Sequence, residues 1–160
     1  MKLLTPVLFI LLALSHNFVM AGDDVTIIDP YVRAVPPGQT VSAAFLQLEN
    51  KSAETRYVVN ATSPVSNVVE LHSHVHENGM MKMRQIDSIE IPANGKAVLE
   101  PGGLHIMLIG LHDALKIDQK VSITLEFKNG TSQTIEAPVR KIMMKGMMKG
   151  KGAMMKDMKH

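Results

Sequence analysis

Apolar and polar residues alternate along most of the chain, which is the pattern of β-strands with one buried face. The clearest example is the segment 121–127, where valine, isoleucine, leucine and phenylalanine occupy every second position. Asn129 and Gly130 follow it, and this pair is typical of a two-residue hairpin that returns into the segment 133–139. The same pattern predicts seven further strands, at residues 25–33, 41–49, 57–61, 68–75, 80–86, 96–99 and 105–108.

Clusters of proline, glycine and asparagine separate these segments, as at residues 36–38 and 101–103. Only residues 110–116 resemble a helical turn. Many short strands at a spacing of roughly 8 to 12 residues are typical of an antiparallel sandwich or barrel. We therefore predict an all-β domain, a β-sandwich or barrel, over residues 22–139.

The first residues have the features of a signal peptide. Lys2 precedes a predominantly apolar run at residues 3–14, which is shorter than the roughly 20 residues that a membrane-spanning helix needs. Val19 and Ala21 then supply suitable residues at the −3 and −1 positions of a cleavage site. We predict a cleaved signal peptide at residues 1–21 and a periplasmic mature protein that does not span the membrane; a retained anchor is the alternative.

The rest of the chain divides into two parts of opposite charge. Residues 22–139 carry 9 Lys and Arg against 14 Asp and Glu, whereas residues 140–160 carry 7 against 1. The terminal segment repeats Met-Met-Lys-Gly and has frequent glycines, so we predict a flexible Met/Lys-rich tail. Aromatic residues make up only 4% of the chain, and no basic segment interleaves with them. A nucleic-acid partner is therefore not expected.

Cysteine is absent from the chain, which excludes disulfides, a thiolate metal site, a CxxC redox motif and a cysteine nucleophile. A blue-copper electron-transfer site is excluded for the same reason, because it requires a cysteine ligand. The sequence also contains no GxSxG, HExxH or glycine-rich phosphate motif. The pattern does not predict an enzyme.

Histidine and methionine cluster instead. His72 precedes Met83 by eleven positions, and His105 and Met107 lie two apart on a predicted strand, which places both on one face. Imidazole suits copper and zinc, whereas thioether sulfur selects copper, above all Cu(I). An alternating face of His72, His74 and His76 is a rival metal site, and a lone methionine or histidine is more often a packing or solvated residue. His112, beside Asp113, is expected to be structural or exposed.

The spacing of His72, Met83, His105 and Met107 resembles the signature of the PCu(A)C family of periplasmic copper chaperones. The residues that flank these four positions, at 69–72, 81–84 and 101–108, also resemble those of the family. The resemblance covers almost all of residues 25–139. It implies a cupredoxin-like β-sandwich or barrel that holds Cu(I) through these two histidines and two methionines. Glu70 or Asp87 is a candidate to orient a ligand histidine through its second ring nitrogen.

The resemblance also implies partners. Similar proteins deliver copper to the copper centres of haem–copper oxidases, often alongside a thioredoxin-like Sco assembly factor. The expected partners are therefore a copper-accepting oxidase subunit and a Sco-type factor.

The tail departs from the minimal family pattern. It offers a second, looser copper-capturing segment for Cu(I) and also for Cu(II). The candidate ligands are Met143, Met144, Met147, Met148, Met154, Met155, Met158 and His160. The alternatives are a solubilising tail and a basic tail attracted to anionic lipid or to an acidic partner.

Two other classes of protein remain as alternatives. A cupin-like metalloenzyme is one, because the segments around His72 and His105 partly match cupin motifs, although their spacings depart from the cupin pattern. The other is a metal-free β-sandwich interaction module. Metal preference separates the three: Cu(I) for the chaperone, Fe(II), Mn(II) or Zn(II) for the cupin, and none for the module.

Overall fold

The computed structural model describes residues 24–77 and 79–141. These residues form ten β-strands, with no helix in the described part of the chain. The strands are β1 Val25–Arg33, β2 Val41–Asn50, β3 Arg56–Thr62, β4 Ser66–Glu77, β5 Met80–Gln85, β6 Ile89–Ile91, β7 Lys96–Leu99, β8 His105–Leu111, β9 Lys120–Phe127 and β10 Ser132–Arg140.

The strands pair in the order β5-β4-β8-β2-β1-β10-β9-β3-β6, and β7 joins the far end of β2. All pairs are antiparallel except β1 with β10, which run parallel. Because β1 pairs with β2 on one side and with β10 on the other, it joins two halves of the sheet. The described end strands, β5 and β6, do not pair with each other, so the sheet is open.

The two halves face each other across one hydrophobic core. Its fully buried members include Leu48 and Leu108 from the half that contains β2 and β8, and Ile123 and Leu125 from β9 of the other half. In β9 the buried residues occupy alternate positions, because successive side chains point to opposite faces of a strand. The all-β prediction is confirmed, and the architecture is a sandwich with open edges.

The hydrophobic pattern located nine of the ten strands and missed β6, which has only three residues. The helical turn expected at residues 110–116 is not formed. Instead, β8 continues through Leu111, where the backbone N–H donates to the carbonyl of Thr40. The predicted β9–β10 hairpin is present, but its loop has four residues at 128–131. Asn129 Oδ1 accepts hydrogen bonds from the N–H and hydroxyl of Thr131, which stabilises this longer turn.

The predicted signal peptide and the tail beyond Lys141 lie outside the described residues. Arg140, where the tail was expected to begin, is the last residue of β10 and pairs with Arg33 of β1. Its guanidinium forms an ion pair with Asp29 at 2.8 Å. Across the described ranges, no helix is long and apolar enough to cross a membrane.

Candidate metal centre

Two of the predicted ligands face each other across neighbouring strands. His72 on β4 is the direct cross-strand partner of His105 on β8. Their ring centroids are 5.7 Å apart. Side chains of cross-strand partners project from the same face of a sheet, so both imidazoles lie on one surface of the β4–β8 pair. Pairing of β4 with β8 thus brings together two histidines that are far apart in the sequence.

The two methionines lie on the same face. Met107 follows His105 by two residues on β8, where it pairs with Glu70 of β4. Met83 on β5 pairs with His74, which follows His72 by two residues on β4. Each methionine is therefore a diagonal neighbour of His72, a separation of about 7 to 8 Å that long side chains can bridge. The four predicted ligands form a row across three adjacent strands.

The row runs from the solvent into the protein. Met83 lies on an edge strand with its side chain 48% exposed, whereas His105 is only 3% exposed. Phe45 of β2 packs beside His105 at a ring-centroid distance of 6.3 Å, and Tyr31 packs on Phe45 at 5.3 Å. An ion would therefore approach from the β5 side, while aromatic rings exclude water on the β2 side.

Hydrogen bonds fix the tautomer of each histidine. His105 Nδ1 lies 2.9 Å from the carbonyl oxygen of Gly103, and because a carbonyl only accepts, Nδ1 carries the proton. His72 Nε2 lies 2.7 Å from a carboxylate oxygen of Glu70, to which it donates. The opposite nitrogens, His72 Nδ1 and His105 Nε2, therefore carry lone pairs. Both are buried with no hydrogen-bond partner among the described residues.

Such unpaired nitrogens are costly unless a ligand satisfies them. Histidines that bind metals characteristically donate their second N–H to a carboxylate or to a backbone carbonyl. Glu70 and the Gly103 carbonyl occupy these two orienting positions. Of the two carboxylates considered from the sequence, the structure places Glu70 against His72, and Asp87 makes no described hydrogen bond to either histidine.

The surroundings keep His105 neutral. Burial lowers the pKa of His105 below its usual 6.5, and the nearby imidazoles of His74 and His72 lower it further, against the opposing effect of the Gly103 hydrogen bond. A neutral imidazole is the form that binds metal ions. The Nε2 lone pair of His105 is thus available at neutral pH.

The rival metal sites gain less support. The face of three alternating histidines includes His76, whose side chain lies outside the described part of the structure. Within that part, no group of three or more His, Cys, Asp or Glu side chains is placed to hold a metal ion. His112 Nε2 donates to Asn67 Oδ1 at 2.9 Å, at the other end of the β4–β8 pair. This contact fits the structural role expected for it.

Sequence reasoning did not anticipate two contributors to this centre. The carbonyl of Gly103 orients His105, and the Phe45 ring packs beside it. The residue types glycine and phenylalanine do not by themselves indicate a metal site. Gly103 belongs to the Pro-Gly-Gly turn before β8, whose position two residues ahead of His105 was the available clue.

Solved structures of other proteins share this fold. CuI-DR1885 from Deinococcus radiodurans is 33% identical with a TM-score of 0.63, and the match covers 77% of this chain and 82% of that one. The copper-bound PCuAC domain from PmoF2 has a TM-score of 0.64 at 21% identity, covering 74% and 94%. The second likeness is one of fold. The resemblance to PCu(A)C domains is thereby confirmed at the level of architecture.

Sequence relatives identify the family. The protein named "Putative lipoprotein Lxx21020" from Leifsonia xyli subsp. xyli is 39% identical over 120 residues, which are 74% of this chain and 71% of the relative. The family model described as "Putative lipoprotein LpqE-like" matches residues 25–139. Because this match spans the whole β domain, the chain belongs to the LpqE-like family.

Proposed function

We propose that this protein is a periplasmic copper chaperone that binds Cu(I) through His72, Met83, His105 and Met107. The observation that carries the proposal is the pair of facing histidines. Each has one ring nitrogen oriented by a protein acceptor and the other buried without a partner. A bound ion would satisfy both nitrogens at once. The proposed role is carriage of a metal and involves no catalysis.

The donor set favours Cu(I) over other ions. Thioether sulfur is a soft ligand that zinc, iron and nickel rarely recruit, and it does not oxidise to disulfides as thiolates do. Neutral imidazole and thioether ligands add no charge, so the bound ion keeps its single positive charge. Such a site holds Cu(I) less tightly than thiolates would. Together with the exposure of Met83, this favours transfer over storage.

The names of similar proteins support copper binding and export. CuI-DR1885 was solved with Cu(I), and the PmoF2 domain was solved with copper. The family and the Leifsonia relative are both described as lipoproteins, which supports an exported protein. The sequence contains no cysteine, so none of these residues can carry a thioether-linked lipid. We therefore propose export through a signal peptide cleaved after Ala21.

The proposed recipients are the copper centres of a haem–copper oxidase, reached alone or together with a thioredoxin-like Sco factor. The Met/Lys-rich segment that follows β10 is proposed as an auxiliary capturing segment for Cu(I), and for Cu(II) at a site that includes His160. A tethered second site would raise the copper concentration near the folded centre without any change in the centre itself.

An anaerobic Cu(I) competition titration tests the β domain and the C-terminal segment separately. The mature protein is compared with a variant that ends at Lys141, which keeps the β10 pairing of Arg140 intact. We expect one Cu(I) per truncated chain and at least one more per intact chain. No Cu(I) on the truncated chain would contradict the folded centre, and equal stoichiometry in both would contradict the auxiliary segment.

The methionine ligands are tested by the double substitution Met83→Leu and Met107→Leu, which nearly preserves side-chain volume. The variant should stay folded and lose Cu(I) affinity. Met80→Leu is the matched control, because Met80 lies on the same strand with its side chain on the opposite face. Unchanged affinity in the double variant would refute the proposed ligand set.

A further inference from the structure

A third histidine lies on the face of the proposed centre and is not one of the four proposed ligands. His74 follows His72 by two residues on β4, so both project from the same side of the sheet. The ring centroid of His74 is 5.1 Å from that of His105. Across the strands, His74 pairs directly with Met83. It therefore lies between the exposed methionine and the buried histidine.

One ring nitrogen of His74 is hydrogen-bonded to the backbone, and the other is available to bind a metal ion. Its Nδ1 lies 3.3 Å from the carbonyl oxygen of Gly103, the same oxygen that accepts from His105. Since a carbonyl only accepts, Nδ1 of His74 carries the proton and Nε2 carries the lone pair. Among the described residues, none forms a hydrogen bond with this Nε2. One backbone oxygen thus holds two imidazoles with Nδ1 protonated and Nε2 free.

The exposure of these side chains decreases along the row. Met83 is 48% exposed, His74 is half-buried, and His105 is 3% exposed. Side chains that are direct cross-strand partners have Cβ atoms about 4.5 to 5.5 Å apart, close enough for one sulfur and one imidazole nitrogen to share an ion. His74 and Met83 therefore lie on the β5 side of His105, where an ion arriving from that edge would meet them before His105.

We propose that His74 and Met83 form an outer Cu(I) position through which the ion enters and leaves the inner centre. This inference rests on the proposed Cu(I) function. On entry, Met83 Sδ and His74 Nε2 bind the ion, and then His72, His105 and Met107 replace His74 while Met83 stays bound. Departure follows the reverse order. Copper remains Cu(I) throughout, no proton or electron is exchanged, and the ion is never without protein ligands.

An outer position affects the rate of Cu(I) transfer more than the equilibrium affinity for Cu(I). The ion passes through this position on its way to the inner centre and has left it once binding is complete. Anaerobic stopped-flow transfer of Cu(I) to the chelator bicinchoninate is compared with the equilibrium affinity from competition titration. For His74→Asn we expect affinity within about threefold of wild type and transfer at least about tenfold slower; tenfold corresponds to about 1.4 kcal/mol in the barrier. His112→Asn is the control and should change neither quantity, since His112 lies at the far end of the strand pair.

A second variant separates ligation from structural support. His74→Met supplies a thioether but cannot donate to Gly103, so it should restore much of the transfer rate only if the side chain binds copper. Wild-type transfer rates in His74→Asn would overturn the inference, as would failure of His74→Met to rescue a slow His74→Asn. A loss of affinity of tenfold or more in His74→Asn would place His74 in the inner centre and also overturn it. Absence of Cu(I) binding by the wild type would instead refute the underlying function.

Discussion

His72 and His105 are cross-strand partners whose rings lie 5.7 Å apart, and each has one ring nitrogen buried without a described partner. A protein that merely packed these rings would gain nothing from leaving both nitrogens unpaired. The Cu(I) ion that we propose would bind both nitrogens, with Glu70 and the Gly103 carbonyl as fixed orienting groups.

Glu70 should influence copper affinity without touching the ion. In Glu70→Ala, His72 loses the acceptor that orients its ring and selects its tautomer, so we expect Cu(I) affinity to fall about 10- to 100-fold. Glu70→Gln keeps an acceptor oxygen and should lose less. Competition titration measures both variants, with Glu90→Ala, an exposed residue of β6 in the other half of the sheet, as the control. Wild-type affinity in Glu70→Ala would show that His72 needs no orienting group.

The metal-free protein should lose stability in mild acid through His105. Burial lowers the pKa of His105 in the folded protein, whereas the unfolded chain keeps a value near 6.5. Below that pH the unfolded state binds a proton that the folded state does not, so acidification favours unfolding. The contribution of His105 is full above about 6.5 and decreases as the pH falls from there towards the folded pKa.

Urea midpoints measured with a chelator present, at several pH values from neutral to mildly acidic, test this. The wild type should lose stability on acidification more steeply than His105→Gln, which has no titrating group at this position. Identical pH dependence in the two proteins would show that another group is responsible.

Substitution of Gly110 should lower the stability more than substitution of another glycine in the left-handed region. Its φ is +70°, and a Cβ atom there would lie 2.7 Å from Asn67 Nδ2. We expect Gly110→Ala to lower the free energy of unfolding by about 2 to 3 kcal/mol. Gly130→Ala is the matched control, since φ is +85° there with nothing within 4 Å, and should cost only about 1 kcal/mol. Equal losses in chemical denaturation would show that the contact with Asn67 relaxes freely.

Asn50 should be important for stability although it is polar and remote from the centre. Its amide donates to the carbonyls of Glu54, Ile91 and Pro92, and its Oδ1 accepts from Ser52, all at a position that is 1% exposed. Asn50→Ala removes all of these hydrogen bonds from a buried position.

We expect Asn50→Ala to lower the free energy of unfolding by about 2 to 4 kcal/mol. Asn60→Ala removes only an exposed bond to Glu126 and should change stability by less than about 0.5 kcal/mol. Chemical denaturation of both variants measures the difference. A small loss in Asn50→Ala would indicate that water replaces the amide at this position.

Much of the secondary structure could be predicted because strand patterning is local. The segments 25–33 and 96–99 were predicted with the observed bounds, since alternation and flanking turn residues act over a few positions. Most other strands were predicted one to four residues short, as at β8, whose last residues are held by pairing with β2 and β4. The strand β5 was predicted one residue too long. The strand β6 was missed because three residues carry too little periodicity, and its burial depends on pairing with β3.

By itself, the sequence determined the all-β class, the charge difference between body and tail, and the unusual supply of imidazole and thioether without cysteine. These properties follow from residue type and short-range spacing. Only the tertiary structure decided that β4 pairs with β8 in the register that opposes His72 to His105, and that β5 brings Met83 opposite His74. Register depends on the packing of a shared core and on turns elsewhere in the chain, so no local pattern specifies it. The choice of Glu70 and of the Gly103 carbonyl as orienting groups follows from that register and from the turn before β8.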